Sequence, residues 1–316
     1  MIYPAKYYSN PEKVIIKRKY NMKKIAIFAS LIGLMGLAHA DVSIYGKVRE
    51  YQESYKLGTA DSLSRLTNDS SRLGFKADTD VGSGFTASAI LETGFGADAP
   101  TASTLGDRTV LFKLSNSLGS IAAGRDKHAV TRVLDNYDVM ENAYGTIATS
   151  IHSAQGSRIQ NAIFVSTSTI AGFTGTYQMA NSETAGTSNT QVGGINYSVG
   201  PLSATVARYD DTVSSASTIA GVKYTLARTG TTLFGMYSDD KVSNVSTTGK
   251  SIGVSQAIAP QLALLANYGE KSDGTSGRAI GAAYAMNKAL TFHARYSFID
   301  TTTDVTQYGV GVEFNF

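Results

Sequence analysis

Val310, Val312, Phe314 and Phe316 alternate with Gly309, Gly311, Glu313 and Asn315 at the C-terminal end of the sequence. In an extended strand, successive side chains point to opposite faces. This stretch therefore has one apolar face, one polar face and an aromatic last residue. Chain ends are ordinarily frayed and polar. An alternating strand ending on an aromatic ring suits a wall with lipid outside, water inside and rings at the interface.

The same period of two recurs upstream. Leu73, Phe75 and Ala77 alternate with Arg72, Gly74, Lys76 and Asp78. Ile159, Ile163 and Val165 stand against Arg158, Gln160 and Ser166, and Phe292, Ala294, Tyr296 and Phe298 against Thr291, His293, Arg295 and Ser297. The chain parses into sixteen expected strands: 42–55, 70–79, 84–95, 107–116, 119–125, 158–168, 172–180, 190–199, 202–209, 217–227, 231–240, 249–258, 261–271, 278–287, 289–299 and 305–316. Seven tight turns alternate with eight longer loops, at 56–69, 96–106, 126–157, 181–189, 210–216, 241–248, 272–277 and 300–304. Beyond residue 40 no apolar run reaches 18 residues, so no membrane helix is expected. Open sheet edges cannot face lipid, which leaves a closed barrel as the only spanning form. The expected fold is all-β, a transmembrane antiparallel β-barrel of 16 strands. Eight strands pack solid, whereas sixteen leave an aqueous channel. A soluble sandwich or an autotransporter-like passenger is the alternative for such alternation.

The N-terminal region has a different grammar. Lys23 and Lys24 precede the apolar run 25–37, followed by Ala38-His39-Ala40. Charged start, short apolar core and A-x-A site read as a secretory signal peptide over 22–40, cut after Ala40. Residues 1–21 read as an extra leader from a start codon placed too early, with a genuinely long n-region as the alternative, and 41–316 as one barrel domain. Residues 1–40 hold seven of the 28 Lys/Arg and one of the 25 Asp/Glu. The remainder carries 21 basic and 24 acidic residues, net −3. The basic pI belongs to the leader and does not argue for nucleic acid. With no cysteine, disulfides and thiolate metal sites are excluded.

Several stretches resemble trimeric Gram-negative porins of the beta-proteobacterial type. Val42-Ser-Ile-Tyr-Gly-Lys47 resembles their first strand. Ser71-Arg-Leu-Gly-Phe-Lys76, Asp80-Val-Gly-Ser-Gly-Phe85 and Leu91-Glu-Thr-Gly-Phe95 resemble the second and third. Leu105-Gly-Asp-Arg108 and Leu118-Gly-Ser-Ile-Ala-Ala-Gly-Arg125 resemble the fourth and fifth; Asn161-Ala-Ile163 and Ala171-Gly-Phe173 resemble the hairpin after the third loop. Tyr308, Phe314 and Phe316 are similar to the family's assembly signal. The resemblance implies a homotrimer, insertion through the barrel-assembly machinery by the last strand, contact with outer-membrane lipid, and passage of ions and small hydrophilic solutes. It also implies a third outer loop folded into the lumen. Here that loop, roughly 126–157, is the longest and carries Asp126, Asp135, Asp138 and Glu141. Lys47, Arg49, Arg72, Lys76, Arg158 and Arg295 have inward parity on the wall. Acidic loop against basic wall would set a transverse field at the narrowest point. Arg125 and Arg108 have outward parity, so a bend is expected where the loop departs.

Catalytic motifs fail. Gly249-Lys-Ser-Ile-Gly253 fits G-x-S-x-G, but it opens an expected strand rather than a strand–turn–helix elbow. Asp78-Thr-Asp-Val-Gly82 lacks the later ligands of a calcium loop. No metal-ligand spacing stands out, and no cofactor is implied. The leading expectation is a general-diffusion channel in the outer membrane, not an enzyme. The alternatives are a selective channel with a binding site, or a barrel with an adhesive or structural role.

Overall fold

The computed structural model describes residues 40–96, 104–153 and 155–316. The expected leader and signal peptide lie outside the described residues, save Ala40, as do positions 97–103 of the second long loop. The strands are β1 (Asp41–Leu57), β2 (Leu63–Asn68), β3 (Arg72–Gly82), β4 (Phe85–Gly94), β5 (Thr109–Asn116), β6 (Gly119–Lys127), β7 (Arg158–Thr167), β8 (Phe173–Ala180) and β9 (Thr190–Val199). They continue as β10 (Leu202–Asp210), β11 (Ala216–Leu226), β12 (Thr231–Val242), β13 (Val245–Ala259), β14 (Leu262–Lys271), β15 (Ser276–Ala285), β16 (Leu290–Asp300) and β17 (Val305–Asn315). Two helices, α1 (Ala129–Tyr137) and α2 (Ala148–Ile151), stand between β6 and β7.

Seventeen strands make a closed barrel of sixteen staves. One edge of β1 pairs with β3 over Asp41–Lys47 and with β2 over Glu50–Tyr55. β2 and β3 are thus two pieces of a single stave, broken at residues 69–71, where Ser70 has a left-handed φ of 64°. The other edge of β1 pairs with β17 from Lys47↔Asn315 to Leu57↔Val305. Past the end of β17, the Phe316 amide donates to the Gly46 carbonyl at 3.1 Å, and the Gly46 amide donates back to Phe316 at 2.8 Å. Every stave is antiparallel to its neighbours, and among the described residues no stave is left with an unpaired edge.

The alternation sorts two faces. One carries Phe112, Ile195, Ile252, Ile280, Val310 and Phe314, all exposed. The other carries the buried polar groups, among them Glu92, Ser238, Asp240, Arg295 and Glu313. A charge facing lipid near midplane costs roughly 2–4 kcal/mol, which is reason enough for this sorting.

Three features depart from the sequence reading. Residues 63–68, expected as loop, form β2, because the upper half of β1 needs a ladder partner. β12 and β13 run on through 241–248 and close at Ser243-Asn244. Both have positive φ, 49° and 66°, as a two-residue hairpin turn requires. The third connection, expected only as loop, contains two helices.

Candidate functional site

The third connection is built on helical spacing. His128 caps α1, its ring accepting from the Thr131 amide. Val130, Val133, Leu134 and Tyr137 recur at i, i+3, i+4 and i+7, so one face of α1 is apolar. That face packs with Val192, Ala207, Ile219 and Met236 of β9–β12. Tyr137 reaches furthest: its hydroxyl lies 2.8 Å from Ser203 Oγ and 2.7 Å from Thr205 Oγ1. Its ring lies against Gly221, where a Cβ would stand 2.5 Å from ring carbon. Ile147 and Ile151 share a second apolar cluster with Val139, Met140, Ala279 and Ile299.

Asp138 sits between the helices. Its carboxylate accepts from the Asn142 amide at 2.9 Å, Thr146 Oγ1 at 2.6 Å and Asn267 Nδ2 at 3.0 Å. Burial raises its pKa, and the hydrogen bonds to Thr146 and the loop backbone oppose that shift. At 3 % exposure it ties the connection to β14 rather than lining open space. Asp138→Asn sets an amide NH2 against a donor and is expected to loosen the connection by about 1–3 kcal/mol. On the expected channel reading, reversal potential in a salt gradient should stay at the wild-type value; a shift toward anions would show that the carboxylate faces the ion path.

The far edge of the connection meets β1, β16 and the break between β2 and β3. Tyr144 stacks on Tyr51 at 4.3 Å, and its amide donates to Asp69 Oδ2 at 2.7 Å. Arg295, buried, donates from Nη1 to the carbonyls of Met140 at 3.0 Å and Tyr144 at 2.7 Å. Arg295 therefore grips the connection, although parity alone places it among the wall cations.

Four of the other wall cations, Lys47, Arg49, Arg72 and Arg158, gather with Arg108 around two carboxylates. Glu313 takes Lys47 at 2.7 Å and Arg49 at 3.0 Å. Arg49 also holds Asp69 at 3.0 Å. Glu92 takes Arg108 at 2.7 Å, Arg72 at 3.5 Å and Arg158 at 3.8 Å, and the Tyr45 hydroxyl donates to it at 3.2 Å. Cations from β1, β3, β7 and the approach to β5 thus form one tract.

The other expected residues fall elsewhere. Lys76 pairs with Asp78 at 2.6 Å, toward the tight-turn end of β3. Asp126 pairs with Arg132 and Asp135 with Lys127, each at 2.6 Å. Glu141 is the loop acid that reaches toward the tract, 4.0 Å from Arg49 and itself well exposed. Arg125 lies where the β6–β7 ladder slips between Gly124 and Asp126, and it donates to Gln160 at 2.9 Å. The sequence reading missed Glu92, Glu313 and Asp69 as partners of the cations. For Glu92 and Glu313 the signal was the inward parity they share with Arg72, Lys47 and Arg49; Asp69 lies in the break between β2 and β3, in a stretch read as loop, and carried none. Gly249–Gly253 lies within extended β13, with no elbow. Among the described residues, no cluster of three or more His, Asp or Glu is placed to hold a metal.

The comparisons with known proteins agree with this geometry. The chain is 27% identical over 191 residues to the major outer membrane protein P.IB of Neisseria gonorrhoeae, across 56% of this chain and 53% of that protein. It spans about half the length of the curated relatives it matches. The barrel superimposes on the anion-selective porin from Comamonas acidovorans with a TM-score of 0.75 at 18% identity, over 88% of this chain and 100% of that one. OmpT of Vibrio cholerae, in its trimer form, gives 0.68 at 13% identity over 88% and 99%. These structural likenesses establish the fold. A family model for Gram-negative porins matches residues 28–316, and the chain belongs to that family of outer-membrane proteins.

Proposed function

We propose that the chain forms a water-filled channel for passive diffusion of ions and small hydrophilic solutes across the outer membrane, with a preference for anions. The single observation that carries the reading is the tract of five cations on the polar face. Lys47, Arg49, Arg72, Arg108 and Arg158 are offset by Glu92, Glu313, Asp69 and, at 4.0 Å from Arg49, the exposed Glu141, an excess of one positive charge. In a sixteen-stave barrel the polar face is the lumenal one, and the lumen is wide enough for water. The third connection, lying against that face from β9 to β17, narrows the lumen on one side and leaves the cationic tract on the other. Loose, multiple contacts let a solute leave as readily as it enters. By analogy with the trimer form of the Vibrio cholerae protein, three copies would assemble, with lipid around them. The terminal strand would be the segment that the barrel-assembly machinery reads, with Tyr308, Phe314 and Phe316 on its exposed face.

The test is planar-bilayer recording of the detergent-extracted protein under a KCl gradient. Ohmic steps in groups of three, with a reversal potential on the chloride side, are the expected result. Absence of steps from well-folded protein would end the channel reading. A potassium-side reversal would end the anion preference.

A further inference from the structure

The third connection returns to β7 through a buried polar network that the channel reading does not use. His152 lies just after α2, fully buried, between two serines of the wall. Its Nδ1 is 2.8 Å from Ser238 Oγ on β12, and its Nε2 is 2.9 Å from Ser251 Oγ on β13. Ser238 donates in turn to Asp240 Oδ2 at 2.7 Å. Asp240 also accepts from the Ser153 amide at 3.0 Å and from the Ser217 hydroxyl on β11. Since the Ser238 proton is committed to Asp240, Ser238 accepts from Nδ1–H, and the Ser251 hydroxyl donates to Nε2. The chain of donors runs one way, Ser251 to His152 to Ser238 to Asp240. Three staves and the descending limb of the connection are tied by one imidazole and one carboxylate. Room for the ring comes from Gly249, where a Cβ would stand 3.0 Å from Nδ1 and 2.2 Å from the Ile151 carbonyl.

We propose that His152 and Asp240 are positioning residues, a latch that holds the third connection against the wall and so keeps the channel at a single open level. They touch no permeating solute and act through where the connection lies. The electrical part of this inference rests on the channel reading; the seating of the connection does not.

The latch is sensitive to acid by construction. A charged imidazole carries a proton on both nitrogens, so the Ser251 hydroxyl must turn to accept from Nε2 instead of donating to it, and the charge itself is buried. Burial depresses the His152 pKa from its ordinary 6.5 to about 4. The charged group that faces it is Asp240 on β12. On β13, Lys250 is exposed on the opposite face and pairs with Glu270 of β14. Lys271, on the polar parity of β14, pairs with Asp273. A released connection titrates near 6.5 and a seated one near 4. The seated state is therefore fully favoured above the upper value. It weakens by up to about tenfold per unit as pH falls between the two, and levels off below the lower one.

Two measurements on the full-length protein test this. The first is hydrogen exchange of the peptide 147–156 in detergent. The second is single-channel noise between pH 7 and pH 3.5. His152→Ala and Asp240→Asn should exchange roughly tenfold faster or more at pH 7, the scale of losing a hydrogen bond to a charged group. Both should fluctuate between levels at neutral pH. Wild type should begin to fluctuate below about 6.5 and reach its plateau near 4. His152→Gln keeps polar contacts but cannot titrate, and its noise should be independent of pH. Wild-type protection in both of the first two variants, or a wild-type acid onset in His152→Gln, overturns the proposal. If the first two fail to form a barrel, His152→Gln decides it alone. If wild type conducts no current, the channel reading fails, and exchange at pH 7 and at pH 4 still decides the latch.

Discussion

Replacing Arg295 by methionine is expected to release the far edge of the third connection while leaving the barrel intact. The guanidinium donates to two loop carbonyls, and its Cζ lies 5.8 Å from the centre of the Tyr51 ring. Bonds from a charged donor contribute about 1.5–3 kcal/mol each, so roughly 3 kcal/mol of docking is at stake after water re-enters. That is about a hundredfold in the ratio of released to seated edge. The ladder bonds of β16 are backbone bonds and survive the change. The chain has no cysteine, so Glu141→Cys takes a nitroxide at a single exposed place. The expected result is a broad, immobilised spin spectrum in the otherwise wild-type protein and a sharp one with Arg295→Met. An unchanged spectrum would mean that the apolar clusters beneath α1 and α2 hold the edge without Arg295.

The second large effect is on charge preference. Arg108→Gln with Arg158→Gln removes two of the three guanidiniums around Glu92. An ion passing within several ångströms, at an effective dielectric between those of protein and water, feels about 1 kcal/mol from each. Together they should lower the anion-to-cation permeability ratio by roughly tenfold or more. The reversal potential in a KCl gradient reads this directly. Lys76→Gln, whose charge is paired with Asp78 outside the tract, serves as the control and should leave it unmoved. Equal effects from both changes would show that net charge of the lumen, rather than the tract, sets preference.

The fold was legible because its driving force is local. A wall wetted on one side and greasy on the other imposes a period of two on every stave, and that period survives in sixteen separate segments. The seam was legible for the same reason, since the strand ending at Phe316 has the alternation of an interior stave. β2 was not, because Leu63-Ser-Arg-Leu-Thr-Asn68 carries an apolar residue at every third position and becomes strand only against the upper half of β1. The helical spacing of Val130, Val133, Leu134 and Tyr137 was present in the sequence, inside a stretch read only for its acids. Signs of charge were legible at Lys47, Arg49 and Arg72. What each acid does was not: Asp138 and Glu141 are three residues apart, yet one is buried on Asn267 and the other reaches toward Arg49. That difference depends on a wall strand more than a hundred residues away.

The third connection leans on β9 to β17 and touches β1 only at its far edge, through Tyr144 on Tyr51, while the cationic tract runs over β1 to β7. The two halves of the barrel are therefore answerable to different constraints. A lumenal substitution in the later staves is felt through fit: a methyl group at Gly221 would collide with Tyr137, and one at Gly277 would press tightly on Ile147. In the earlier staves charge is added to fit: a methyl group at Gly74 would collide with Tyr45, and the cations close by set the local field. One side of the barrel is thus a mould alone, and on the channel reading the other is a mould that also filters.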